Sequence, residues 1–275
     1  MRHVPRKRFG QNFLTDEAAI AAIVAAIAPQ PRDRVVEIGP GLGALTRPLA
    51  ARLDHLQVIE IDRDIVAHLR AAFPAGHVTV HEGDALRFDF SALGPRLRVV
   101  GNLPYNISTP LLFHLAQHAA AILDIHVMLQ KEVVERMVAT PSTSEYGRLS
   151  VMLQYRFEME RILAVPAGAF RPAPRVESAV VRMVPFARLP HPAGDEAALG
   201  KIVAAAFAQR RKTLRNALRA HFRAADFEQL GVDAGLRAQD LGVEDFVRLA
   251  DEILKKERLG TTTGNRPFPR NKDRP

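Results

Sequence analysis

The chain has 275 residues, 47% of them hydrophobic and 25% charged, which allows one large domain or a domain with a smaller companion and excludes wholesale disorder. With no Cys, disulfides, thiolate zinc sites and iron–sulfur clusters are excluded. The net charge of +8 is unevenly spread: residues 1–8, 201–223 and 255–275 hold eighteen basic residues and two acids, leaving an acidic remainder, a pattern suited to a polyanionic partner.

In chain order, residues 16–28 read as a helix, with Thr15 or Asp16 as N-cap and Ile20, Ile23, Val24 and Ile27 on one face. This longest apolar run, Ala18 to Ala28, is too short to span a bilayer, and no signal peptide is evident, so a cytoplasmic protein without membrane association is expected. Short strands are expected at 34–38, 57–61, 78–80, 97–100 and 126–130. Helices fit 44–53, 64–72, 110–121 and 131–139. This alternation indicates βαβ units and an α/β fold around a mostly parallel sheet. Residues 156–165 and 178–184 read as two further strands with no helix between them, hence antiparallel. Pro185 to Gly194 is a linker candidate, and the chain from Asp195 onward is helical. The expected domains are 1–186 and a small helical one at 195–258, with a disordered basic tail at 259–275.

Glu37-Ile38-Gly39-Pro40-Gly41-Leu42-Gly43 follows the first of the parallel strands and opens a helix. Glycines there permit a tight turn and close approach of a ligand to the backbone. Glu60 closes the next strand, 21 residues after Gly39, where a carboxylate can accept both ribose hydroxyls of a nucleoside. Asp84 ends the third and can accept from an adenine amino group. The spacing is G-x-G-x-G rather than the dinucleotide pattern, and Glu37 would repel a pyrophosphate. Such an acidic wall suits a cationic ligand such as the sulfonium of S-adenosylmethionine.

Asn102-Leu103-Pro104-Tyr105 ends the fourth of these strands, beside the same crevice. An adenine amino nitrogen is a poor nucleophile because its lone pair is delocalised into the ring. Two acceptors aimed at its N–H bonds favour the tetrahedral geometry of methyl transfer. The Asn102 side-chain oxygen and a main-chain carbonyl of Leu103 or Pro104 can serve, and Tyr105 offers a flat face for the base.

With Gln11-Asn12-Phe13-Leu14 and Phe170-x-Pro-x-Pro-x-Val-x-Ser-Ala-Val added, these motifs resemble, in order and spacing, the ribosomal RNA adenine dimethyltransferases, most of all the bacterial small-subunit members. The resemblance covers about residues 7–255. It implies a Rossmann-like methyltransferase sheet with a helical C-terminal domain, and S-adenosylmethionine as cofactor. It further implies dimethylation of two adjacent adenines in a hairpin near the 3′ end of small-subunit ribosomal RNA, within a pre-assembled subunit during ribosome biogenesis. Carried over by residue, Asn12, Leu14, Gly39, Gly41, Glu60, Asp84 and Asn102 would bind the cofactor. Asn102, Leu103, Pro104 and Tyr105 would form the catalytic motif, with Phe170 and Tyr105 sandwiching the adenine.

A single helix over 201–223 would align Arg211, Arg215, Arg219 and Arg223 as one basic stripe for RNA, opposite Val203, Phe207, Leu214, Leu218 and Phe222. The pairs His77/His81 and His114/His118 lack a third ligand, so no metal is expected. No dimer feature is evident, so a monomer is expected.

Overall fold

The structure, a computed structural model, describes residues 12–262. The basic cluster expected at 2–8 lies outside them. Two compact units form among them: residues 12–139 with Leu153–Arg188, and Thr140–Met152 with residues 189–262.

The first unit opens with β1 (Phe13–Leu14) and α1 (Glu17–Ile27). Asp16 caps α1 by accepting the Ala19 N–H at 2.7 Å, and Ala28 ends it in a left-handed conformation (φ 47°) ahead of Pro29. Then follow β2 (Arg34–Ile38), α2 (Thr46–Ala50), β3 (Leu56–Glu60), α3 (Arg63–Ala72), β4 (Val78–Glu82), β5 (Leu97–Asn102), α4 (Ser108–Gln117), β6 (Ile122–Gln130) and α5 (Lys131–Val138). After α6 (Arg148–Gln154) come β7 (Phe157–Val165), β8 (Phe170–Arg171) and β9 (Ser178–Pro185).

Seven strands form one sheet in the order β4-β3-β2-β5-β6-β9-β7. The five from β4 to β6 are parallel, and β9 lies antiparallel between β6 and β7. Leu97, Val99 and Val100 of β5 are buried because helices cover a parallel sheet on both faces, and Arg98 among them is paired with Asp33 and Asp124. From β2 the chain runs outward through β3 to β4, then returns to place β5 on the other side of β2. The switch point between β2 and β5 opens a crevice at their carboxyl ends. There the strands approach closely: a Cβ at Gly101 would overlap the Ile38 carbonyl oxygen. A separate two-stranded ladder pairs β1 with β8, Leu14 opposite Phe170. Strands of two residues carry no period, so sequence alone did not disclose them.

The second unit contains α7 (Glu196–Phe207), α8 (Leu214–Ala217), α9 (Ala224–Leu230) and α10 (Val243–Thr262). Leu199, Ile202, Leu218, Phe227, Phe246 and Leu249 are among its buried residues. Thr140–Met152 joins it through the Tyr146 ring edge-on to Phe207 (6.4 Å) and the Ser142 N–H donated to the Gln239 carbonyl (2.8 Å). α10 continues to Thr262, past the expected end of folded chain at 258; the rest of the tail lies outside the described residues.

The continuous helix expected over 201–223 does not form. α7 ends at Phe207, and Thr213 takes an extended conformation (φ −66°, ψ 159°) bridged to Arg237. Leu214 and Arg215 donate their N–H groups to the Leu236 and Ala234 carbonyls, so a long-range backbone ladder replaces helical bonds here. Arg223 is the extended N-cap of α9. Arg211, Arg215, Arg219 and Arg223 are all exposed but occupy separate elements, so there is no four-apart stripe. The apolar set Val203, Leu214, Leu218 and Phe222 is buried nonetheless.

Candidate active site

A cavity of about 730 Å³ lies at the carboxyl ends of β2, β3, β4 and β5. Asn12, Leu14, Gly39, Gly41, Glu60, Asp84, Asn102, Leu103, Pro104 and Tyr105 all line it. The loops that carry them are tied by main-chain hydrogen bonds. Gly39 donates to the Ile59 carbonyl (3.0 Å), Gly83 to that of Glu60 (2.9 Å), and Leu103 to that of Met128 (3.1 Å). This network fixes residues far apart in sequence on one rigid rim.

Gly39, Gly41 and Gly43 all have positive φ (66°, 54° and 86°), which side chains with a Cβ rarely adopt. Gly41 is also covered: a Cβ there would sit 3.0 Å from the Phe13 ring.

Glu37 is buried at 2% exposure and accepts a hydrogen bond from the Thr46 hydroxyl at 2.6 Å. Burial pushes its carboxyl up to about 8; the Thr46 bond opposes this and the Glu60 charge adds to it. Glu60 is raised by burial too, against the main-chain N–H groups of Asp62, Ile61 and Gly41. Its Oε1 accepts from Ile61 and Asp62, each at 2.9 Å. Among the described residues no Lys or Arg pairs with either acid. Asp84 accepts the Leu86 N–H at 2.9 Å through Oδ1. Buried carboxylates without a cationic partner are costly, and a cationic ligand would relieve that cost. The donor set therefore fits a sulfonium-bearing nucleoside.

Asn102 donates from Nδ2 to the Asn12 main-chain oxygen at 3.0 Å, which leaves Oδ1 as its acceptor. Tyr105 is half-buried, its hydroxyl 2.6 Å from Ser178 Oγ. Burial raises its phenol, and the Ser178 bond opposes the rise.

Phe170 is not at this cavity. Its side chain is fully buried in the core around Leu14, Val165 and Val180, because pairing of β8 with β1 turns it inward. Thr46, Phe13 and Ser178 are the neighbours of the site that sequence reasoning missed. Of these, Phe13 and Ser178 carried a signal, since each stands in a quoted motif, Gln11-Asn12-Phe13-Leu14 and the Pro-rich segment after Phe170.

The histidine pairs are engaged elsewhere. His77 Nε2 lies 2.7 Å from the Ala50 carbonyl and His81 Nε2 2.8 Å from Gln57. His114 Nε2 lies 2.8 Å from the Phe88 carbonyl, and His118 Nδ1 3.0 Å from that of His114. Among the described residues no group of three potential ligands could hold a metal, and no helix is long and apolar enough to cross a membrane.

A parallel sheet with a glycine turn, an acidic cavity at its switch point and Asn-Leu-Pro-Tyr on the next loop defines an S-adenosylmethionine-dependent methyltransferase. A model of the ribosomal RNA adenine dimethylase family matches residues 2–255. The chain belongs to that family, and its activity is S-adenosylmethionine-dependent dimethylation of adenine in ribosomal RNA.

Among its relatives, ribosomal RNA small subunit methyltransferase A of Chromobacterium violaceum is 62% identical over 260 residues, 94% of this chain and 99% of that one. The protein of the same name from Thiobacillus denitrificans is 64% identical over 244 residues, 89% of this chain and 96% of that one. Among solved structures, a dimethyladenosine transferase from Plasmodium falciparum superposes with a TM-score of 0.75 at 25% identity, over 89% of this chain and 98% of that one. The 23S rRNA methyltransferase ErmE gives 0.68 at 28%, over 89% and 100%.

Proposed function

We propose that the protein dimethylates N6 of two adjacent adenines in a hairpin near the 3′ end of small-subunit ribosomal RNA. It does so as a cytoplasmic monomer acting on a pre-assembled subunit. The observation that carries the residue roles is the convergence of Glu60, Asp84 and Asn102-Leu103-Pro104-Tyr105 on one cavity. The choice of small subunit draws on the names of the relatives that are about 60% identical.

S-adenosylmethionine supplies the methyl group from its sulfonium. Asn12, Leu14, Gly39 and Gly41 contact it, Glu60 accepts from its ribose and Asp84 from its adenine. The Glu60 carboxylate favours a cation over a neutral product, and Glu37 adds to this field once a bound cation draws off its proton. The target adenine leaves its stack and lies on the Tyr105 ring. Asn102 Oδ1 accepts one amino N–H, since Nδ2 is held by Asn12. A main-chain carbonyl accepts the other. The Pro104 carbonyl already accepts from Ile107 N–H at 3.2 Å, which favours the carbonyl of Leu103. Held so, the nitrogen lone pair points away from the ring plane toward the methyl donor. The methylated nitrogen is acidic enough to lose its proton to water, so no strong base is needed. The exposed Arg211, Arg215, Arg219 and Arg223 add phosphate contacts from separate elements.

The test is incubation with labelled S-adenosylmethionine and small subunits lacking the hairpin methyl groups, followed by nucleoside analysis. Dimethyladenosine that disappears with Asn102→Ala is expected. Label on large-subunit RNA, on DNA or nowhere would overturn the reading.

A further inference from the structure

We propose that Ser178 is a positioning residue for methyl transfer, holding the Tyr105 ring in the orientation that receives the target adenine. This rests on the reading of Tyr105 as the stacking platform. Tyr105 lies on the loop after β5, whereas Ser178 is the first residue of β9, two strands away in the order β5-β6-β9. The phenol therefore reaches past β6 to a strand that contributes nothing to the cavity lining. The contact is short, 2.6 Å between the two hydroxyl oxygens.

The anchor is immobile. Ser178 is fully buried, and its backbone is paired on one side with Gln130 of β6 and on the other with Val165 of β7. The other end of the tyrosine is fixed too, because the Ser108 hydroxyl donates to the Tyr105 carbonyl at 3.1 Å. An aromatic ring held only at its backbone can swing about its side-chain torsions. A ring held at both ends cannot, and stacking depends on the tilt of its face. A hydroxyl is out of place in the apolar run Ala-Val-Val that follows it, and buried hydroxyls need partners. Ser178 itself does not touch the cavity, so its effect on the reaction passes through Tyr105.

The experiment is a double-mutant cycle on the full chain, with labelled S-adenosylmethionine and undermethylated small subunits. Ser178→Ala and Tyr105→Phe each remove one hydroxyl and keep the ring. Each should lower kcat/KM for the subunit by about fivefold, the worth of one neutral hydrogen bond. The double variant should be no worse than either single. S-adenosylmethionine affinity and the melting temperature should stay near wild type, and Ser178→Thr should restore activity. Ser178→Cys, close to serine in volume, keeps the test sound if the alanine variant folds poorly. Single losses that multiply, or Ser178→Ala and Ser178→Cys at the wild-type rate, overturn the proposal. Tyr105→Ala separates the two ideas. Its inactivity beside a fully active Ser178→Ala refutes the positioning role alone. Its full activity refutes the stacking platform, and the anchor with it.

Discussion

Raising the pH through 8 should weaken the cofactor-free fold, and Glu37→Gln should remove that weakness. The Glu37 carboxyl moves from its ordinary 4.5 to about 8 on folding, chiefly by burial. Below pH 4.5 it is protonated in both folded and unfolded chains. Between 4.5 and 8 the unfolded chain has released the proton and the folded one has kept it, so stability falls as pH rises. Above 8 the folded protein carries the full cost of a buried anion. At about 1.4 kcal/mol per pH unit, the interval amounts to about 5 kcal/mol, comparable with the whole stability of many domains. Glutamine keeps an acceptor for the Thr46 hydroxyl but cannot ionise. Urea unfolding at intervals from pH 5 to 9 measures this, and subtracting the variant from the wild type cancels the titrating groups that do not interact with Glu37. The difference should grow steadily toward alkaline pH. Parallel curves would refute the reasoning. A bound cation should draw the proton off, so calorimetry of S-adenosylmethionine binding in two buffers near pH 7 should detect release of up to about one proton.

Three more outcomes are expected. Gly101→Ala drives a Cβ into the Ile38 carbonyl oxygen, between two central strands that cannot yield. It should cost about 1–3 kcal/mol in chemical denaturation and lower S-adenosylmethionine affinity, since β2 and β5 carry the site. Among the described residues neither ring nitrogen of the buried His126 finds a hydrogen-bond partner, Asp124 Oδ1 lying 3.7 Å from Nδ1, and burial lowers the imidazole to about 4. Its contribution is lost as pH falls from 6.5 to 4, about 3 kcal/mol, and His126→Leu should flatten acid unfolding in that window. The Tyr146 hydroxyl is likewise buried without a hydrogen-bond partner among the described residues, its phenol pushed up to about 12 by burial. Tyr146→Phe should leave the melting temperature unchanged or raise it, because it deletes an unsatisfied polar group.

The parallel core was legible in the sequence because its signals are local. Apolar runs of four or five residues, glycines that need positive φ, and Asp16 as a cap act within a few positions. Glu60 and Asp84 were legible by register, since Glu60 ends β3 and Asp84 follows the end of the neighbouring β4 by two residues. The basic segment 201–223 misled because its apolar spacing has a helical period. Backbone bonds from Leu214 and Arg215 to residues some twenty positions onward took precedence over it. The burial of Phe170 was not legible, because it accompanies a two-residue pairing with β1 that has no period of its own.

By itself, then, the sequence determined the α/β class, the family and the residues that meet at the crevice, all written in short spacings. Tertiary structure alone decided which of them line the cavity. It turned Phe170 into the core, broke the arginine stripe across separate elements, committed Asn102 Nδ2 to Asn12 and tied Tyr105 to Ser178. Those outcomes depend on contacts between positions tens of residues apart, formed only when strands pair, and no local pattern encodes them.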